Sequence, residues 1–159
     1  MKSVEYIELD NKNFNENSLD TFVRHQEVKE CWRKIDKEWK LVPIEFVEDW
    51  NKEKLKSKAN VISKKIKDEW YGYGAFVGDD VVGFIIASYE RFGSRNQYSE
   101  LIFLHVSEPY RKQGIGKILF KSDCKTARFD LHCNNAYVLP SLDGGGGVPS
   151  FSHKCVFAL

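Results

Sequence analysis

Apolar and polar positions alternate in "VEYIEL" (4–9), which predicts a first strand. Asn17 and Ser18 then offer a cap, and "LDTFVRHQEVKECWRKI" (19–35) predicts a helix. Pro43 interrupts the chain. After Glu48 and Asp49, the residues Leu55, Ala59, Ile62, Ile66 and Trp70 recur at helical spacing, a stripe that should face the core. The other side of that helix carries Lys52, Lys54, Lys56, Lys58, Lys64, Lys65 and Lys67, which read as a solvated face rather than a nucleic-acid contact. In "YGYGAFVGDDVVGFIIASYERFG" (71–93), two apolar runs flank Gly78-Asp79-Asp80, the signature of an antiparallel hairpin. "GSRNQY" makes a loop, and "SELIFLHV" adds a third strand to the meander. A helix follows over 115–129, with Ile115, Ile118, Leu119 and Ala127 facing inward, and "AYVLP" (136–140) predicts another strand. Strand, helix and strand in succession form a crossover, usually parallel and right-handed. The fold class is therefore α/β, with a mixed, mainly antiparallel sheet flanked by helices.

A chain of 159 residues is long enough for one domain spanning 1–159 with its own core. A formal net charge of +1 argues against nucleic acid or a membrane surface as partner. "MKSVEYIELD" has no apolar stretch of the kind a secretory leader needs, and no run is long enough to span a bilayer. Cys31, Cys124, Cys133 and Cys155 lack C-x-x-C spacing, which suits free thiols in the cytoplasm. The segment 130–159 stands apart: it holds only Asp130, Asp143 and Lys154 as charged residues, and Gly144 to Gly147 run unbroken.

The chemistry concentrates in "SEPYRKQGIGKILFK" (107–121), where a strand gives way to a helix. Helix N-termini offer unpaired N–H groups and a partial positive charge, and glycines let a phosphate come close. A P-loop is excluded, because Arg111 stands where its first glycine belongs and Ile118 where it needs Ser or Thr. A dinucleotide fingerprint starting at Gly114 fails at Leu119. What remains is R-x-x-G-x-G, from Arg111 through Lys112, Gln113, Gly114 and Ile115 to Gly116.

After a strand ending "LHVSEPY", this motif closely resembles the acetyl-CoA signature of the GNAT superfamily of N-acetyltransferases, a resemblance that covers about residues 1–129. It implies a GNAT-like fold and acetyl-CoA as cosubstrate, with no metal. The amides of Gln113 to Lys117 would meet the pyrophosphate, Arg111, Lys112 and Lys117 would add charge, and the main chain of Leu104, His105 and Val106 would bond the pantetheine arm.

The reaction so implied is acetyl transfer to a primary amine by direct attack. An amine of pKa ~10.4 is neutral only about once in ~2,500 molecules at pH 7, so a general base is needed. Glu100 is the candidate, because simple alternation puts it on one strand face with Ile102, Leu104 and Val106, and some members carry a catalytic glutamate there. His105, on the other face, reads as structural. The family's later tyrosine acid has no match here, since "SLDGGGGVPSFSHK" cannot supply its helix and Tyr137 does not fit the motif. That departure keeps open an alternative, an acetyl-CoA-binding module with weak or no catalysis. The expected partner is a small-molecule or peptide amine, with room for a homodimer. Trp32, Trp39, Trp50 and Trp70 lie among acidic residues, and they read as packing residues more than as a rim for a cationic substrate.

Overall fold

The computed structural model describes residues 3–96, 98–126, 136–139 and 154–158. The readings for Ala127 and for the glycine run Gly144 to Gly147 lie outside the described residues. In chain order the elements are β1 (Glu5–Glu8), β2 (His25–Ile35), β3 (Glu38–Asp49), α1 (Lys52–Lys65), β4 (Trp70–Val77), β5 (Asp80–Phe92), β6 (Tyr98–Val106), a 3-10 turn (Glu108–Tyr110), α2 (Ile115–Thr126), β7 (Ala136–Leu139) and β8 (Lys154–Ala158).

The main sheet runs β1-β4-β5-β6-β8-β7. Its ladders between these strands are antiparallel. The crossover from β6 through α2 to β7 keeps the expected direction but not the adjacency, because β8 is hydrogen-bonded between the two strands. The central strand β5 carries the continuous run Val81 to Ala87 and is buried on both faces, as a strand covered from both sides must be. Phe84 and Ile86 join Leu55, Ala59, Ile62 and Ile66 under α1, together with Leu9, Phe14, Leu19 and Phe22 from the segment before β2. Ile85 and Ala87 turn to the other face and meet Ile115 and Leu119 of α2. Gly83 makes the seat for α2, since a Cβ there would lie 3.1 Å from Ile115 and 3.2 Å from Leu119. Ile118, expected to face inward, is exposed.

Helix α1 starts later than Glu48 and Asp49 suggest. The Asn51 side chain accepts the Lys54 amide hydrogen at 2.9 Å and caps the helix there. Trp70, the last member of the apolar stripe, opens β4 instead.

The helix expected over 19–35 is replaced by strand. His25–Ile35 pairs with Glu38–Asp49 as a two-stranded ribbon of its own. Asp36 and Lys37 join the strands, with φ of 51° and 68°, the left-handed geometry of a two-residue hairpin turn. Pro43 does not break the chain: it lies in β3, where the pairing shifts register between Val28 and Glu30, and a proline is tolerated at such an irregularity.

Candidate functional site

The corner between β6 and α2 is built from both ends. Ser107 is buried; its N–H donates to the Val82 carbonyl at 2.9 Å, and its hydroxyl accepts the Val23 amide hydrogen at 2.9 Å. Glu108 N–H donates to the Val23 carbonyl at 2.9 Å, so the chain just before β2 is tied to the end of β6. Past the 3-10 turn, Lys112 has φ 61° and Gly114 has φ 80°, while Gln113 between them keeps ordinary handedness. Such alternation turns successive N–H groups toward one concavity, an arrangement suited to anions. Ile115 is buried under β5 and fixes the first turn of α2, whose leading amides have no helical acceptor.

Each residue of the R-x-x-G-x-G motif now has a place. A Cβ on Gly114 would meet nothing within 4 Å, so this glycine faces open space. A Cβ on Gly116 would touch Val106 at 3.7 Å, an ordinary contact, so Gly116 lies against the strand end. Lys112, Gln113 and Lys117 are exposed around the turn. Arg111 corrects an expectation. Its Nε donates to the Val106 carbonyl at 3.1 Å and its Nη1 to the His25 carbonyl at 2.8 Å, so the guanidinium binds β6 to β2 instead of serving as an outward charge for a phosphate.

Strand β6 has two edges. One pairs with β5; the other pairs with β8 only from Tyr98 to Leu101. From Ile102 to Val106 that second edge meets no strand among the described residues. Leu104, His105 and Val106 lie on it, next to the turn.

Beside them opens a cavity of about 450 Å³ lined by Arg24, Gln26, Leu104, His105, Val106 and Arg111. Arg24 and Gln26 carried no role in the sequence reading, which put both in a helix. Arg24 is only 7% exposed. Its Nη2 donates to Glu48 at 2.8 Å, its guanidinium lies 5.7 Å from the Trp50 ring, and its buried Nε and Nη1 have no hydrogen-bond partner among the described residues. Burial pulls its pKa down, and Glu48 opposes that pull.

The His105 ring stands edge-on to Trp50, with centroids 4.8 Å apart, and also approaches Phe84 and Phe103. Burial, reinforced by the charges of Arg24, Arg111 and Lys58, lowers its pKa to about 3. An imidazole so weakly basic stays neutral and cannot serve as the base at neutral pH. Trp50 and Trp70 do pack against the core, and Lys58 and Lys65 lie over their rings.

Glu100 differs from its expected setting. Opposite β5, Phe103 pairs with Ile86 and Leu101 with Ala87, so Ile102 is an extra residue and the alternation slips by one. Leu101, not Glu100, thus shares the α2 side with Val106. Glu100 lies on the face of Phe103 and His105, opposite Val156 in the ladder. Uniform alternation hid this, because a bulge leaves no fixed mark in a sequence.

Comparison with known proteins agrees with this geometry. The model of the acetyltransferase (GNAT) family matches residues 29–141. No curated protein matches the chain. Among solved structures, a putative streptothricin acetyltransferase from Bacillus anthracis str. Ames, in complex with acetyl coenzyme A, is similar with TM-score 0.55 and 20% identity, over 79% of this chain and 68% of that one. A nourseothricin acetyltransferase is similar with TM-score 0.55 and 14% identity, over 79% of this chain and 66% of the other. With the family match spanning most of its length, the chain belongs to the GNAT acetyltransferase family and is an acetyl-CoA-dependent acyltransferase.

Proposed function

We propose that the chain transfers an acetyl group from acetyl-CoA to a primary amine of a small molecule or peptide, by direct attack of the amine on the thioester. The observation that carries this reading is the turn of alternating handedness at 112–114, leading into the open first turn of α2. The amides from Gln113 to Lys117 would hold the pyrophosphate, with Lys112 and Lys117 adding exposed charge around it. The edge of β6 at Leu104, His105 and Val106, which meets no strand among the described residues, would bond the pantetheine arm as an added strand would.

Glu100 is the proposed general base. It would take the proton of the attacking amine directly or through one bridging water. With His105 held neutral and weakly basic, Glu100 is the carboxylate on that face of β6.

The test combines acetyl-CoA titration calorimetry with an amine-panel assay. Gly114→Ala puts a methyl group into the space a phosphate needs, and should weaken acetyl-CoA binding tenfold or more (about 1.4 kcal/mol). Glu100→Gln should slow transfer by ~10²–10⁴-fold with acetyl-CoA affinity retained. Unchanged affinity in the first variant removes the cradle. Unchanged turnover in the second removes the base. Tight acetyl-CoA binding with no turnover on any amine would leave a binding module without catalysis.

A further inference from the structure

The ribbon β2-β3 pairs with no other strand among the described residues, and its two faces differ. Arg24 and Gln26 line the cavity beside β6, so the even-numbered side of β2 looks toward the site at its start. The odd-numbered side looks away from it. There Glu27 lies opposite Val47, Arg33 opposite Lys40 and Ile35 opposite Glu38, and all six are exposed. Single apolar residues in water are ordinary, but Val47 at 59% and Ile35 at 41% share one face of a projecting arm.

Charge on this face is divided lengthwise. Glu27 and Asp49 lie at the base of the ribbon, and Arg33 and Lys40 lie about 20 Å further along, six residues at ~3.3 Å each. The neighbouring sequence repeats the split, with Glu45 and Glu48 toward the base and Lys34 and Lys37 toward the tip. Asp36 and Glu38 offset part of the tip, and Lys29 and Arg24 part of the base, but the tip stays net positive and the base net negative. A partner of one sign, such as a nucleic acid or an anionic membrane, would be attracted by one end and repelled by the other. The partner that fits carries both signs in reverse order. A second copy of the same ribbon, turned end for end, does so.

We propose that two copies of the chain meet on this face, their ribbons packed antiparallel about a two-fold axis, so that the tip of each lies on the base of the other. Two-fold symmetry makes every contact twice from one self-complementary patch. Arg33 and Lys40 approach the partner's Glu27 and Asp49, and Ile35 covers the partner's Val47. Tip-to-tip packing would instead set like charges against each other. The interface lies behind the wall that carries Arg24 and Gln26, so it leaves the cavity open.

The experiment is analytical ultracentrifugation of the full chain with two charge-reversed variants. The wild-type protein should sediment as a dimer at micromolar concentration and shift toward monomer as salt rises from ~0.05 to ~0.5 M. The tip variant, Arg33→Glu with Lys40→Glu, should raise the dimer dissociation constant by roughly tenfold or more, because acids then face acids. The base variant, Glu27→Lys with Asp49→Lys, should do the same with bases. Mixed in equal amounts, the two should recover a dimer. The acidic tip of one then meets the basic base of the other, while the native tip and native base meet at the second contact. Native mass spectrometry identifies that species as the heterodimer, and thermal melting of each variant reports that it folds. A wild-type protein that stays monomeric at high micromolar concentration overturns the proposal. A dimer that both variants leave intact places the interface elsewhere and overturns it as well. Variants that fold but stay monomeric when mixed rule out the tip-to-base packing.

Discussion

Asp123 is the residue whose chemistry least suits its place. It follows Leu119 by four positions and Ile115 by eight, which puts a carboxyl group on the buried stripe of α2. It is 1% exposed, and its Oδ1 has no hydrogen-bond partner among the described residues. Burial raises its pKa from 3.8 to about 7. The folded chain therefore holds a proton that the unfolded chain has lost between those values, and stability contributed by Asp123 falls as pH rises through that window. His105 works the other way. With its pKa lowered from 6.5 to about 3, its contribution is complete above 6.5 and is lost as pH falls toward 3. The two slopes partly cancel in the wild-type protein. Asp123→Asn keeps the shape and removes one of them. It should stabilise the chain at pH 8 by a few kcal/mol (~2–4), and the gain should vanish near pH 3. Denaturant melts at several pH values measure this, and a gain independent of pH would show that the carboxyl group is not held neutral. Helical spacing from Ile115 and Leu119 already puts Asp123 on the inward stripe of α2, but nothing in the sequence marks Arg24 as buried until the packing around it is known.

At the scale of elements, the meander β4-β5-β6 and the helix after it were legible because burial dictates their pattern. Val81 to Ala87 must be apolar when both faces of β5 are covered. Leu55, Ala59 and Ile62 must recur at helical spacing when one face of α1 is covered. The ribbon β2-β3 answers to no such constraint. It lies outside the main sheet, with Ile35, Leu41 and Val47 exposed, so period-two alternation is not enforced and its apolar residues read as helical. Its turn was equally hard to see, because Asp36-Lys37 lacks the glycine that usually announces this geometry. Lys37 sits at φ 68°, where a side chain is disfavoured by about 1–2 kcal/mol. Lys37→Gly should therefore stabilise the ribbon by about 1 kcal/mol and raise the melting temperature by roughly 2–4 °C. A lower melting temperature would mean that the turn does not hold this conformation.

For the molecule as a whole, the site depends on joining two sheets that share no ladder. The motif R-x-x-G-x-G lies at the corner between β6 and α2, but the sequence could not show that its arginine faces inward, since that depends on β2 arriving beside β6. Arg111 makes this join, through the Val106 carbonyl on one side and the His25 carbonyl on the other. Arg24 adds the ion pair to Glu48 across the same ribbon. The cavity exists only where these strands are held together, so its geometry and the attachment of the ribbon should fail together. Arg111→Met keeps much of the apolar stem but withdraws charged donors from two carbonyls, which should lower stability by about 1–3 kcal/mol. The loss should be local. Hydrogen exchange should quicken at the His25 to Val28 amides, while the amides of β4 and β5 stay as protected as before, because their ladder and both core clusters are untouched. Acetyl transfer should fall alongside, since Leu104 to Val106 and Arg24 would no longer be held across one cavity. Uniformly faster exchange would show instead that Arg111 supports the global fold, and unchanged exchange would show that the ribbon is anchored by other contacts.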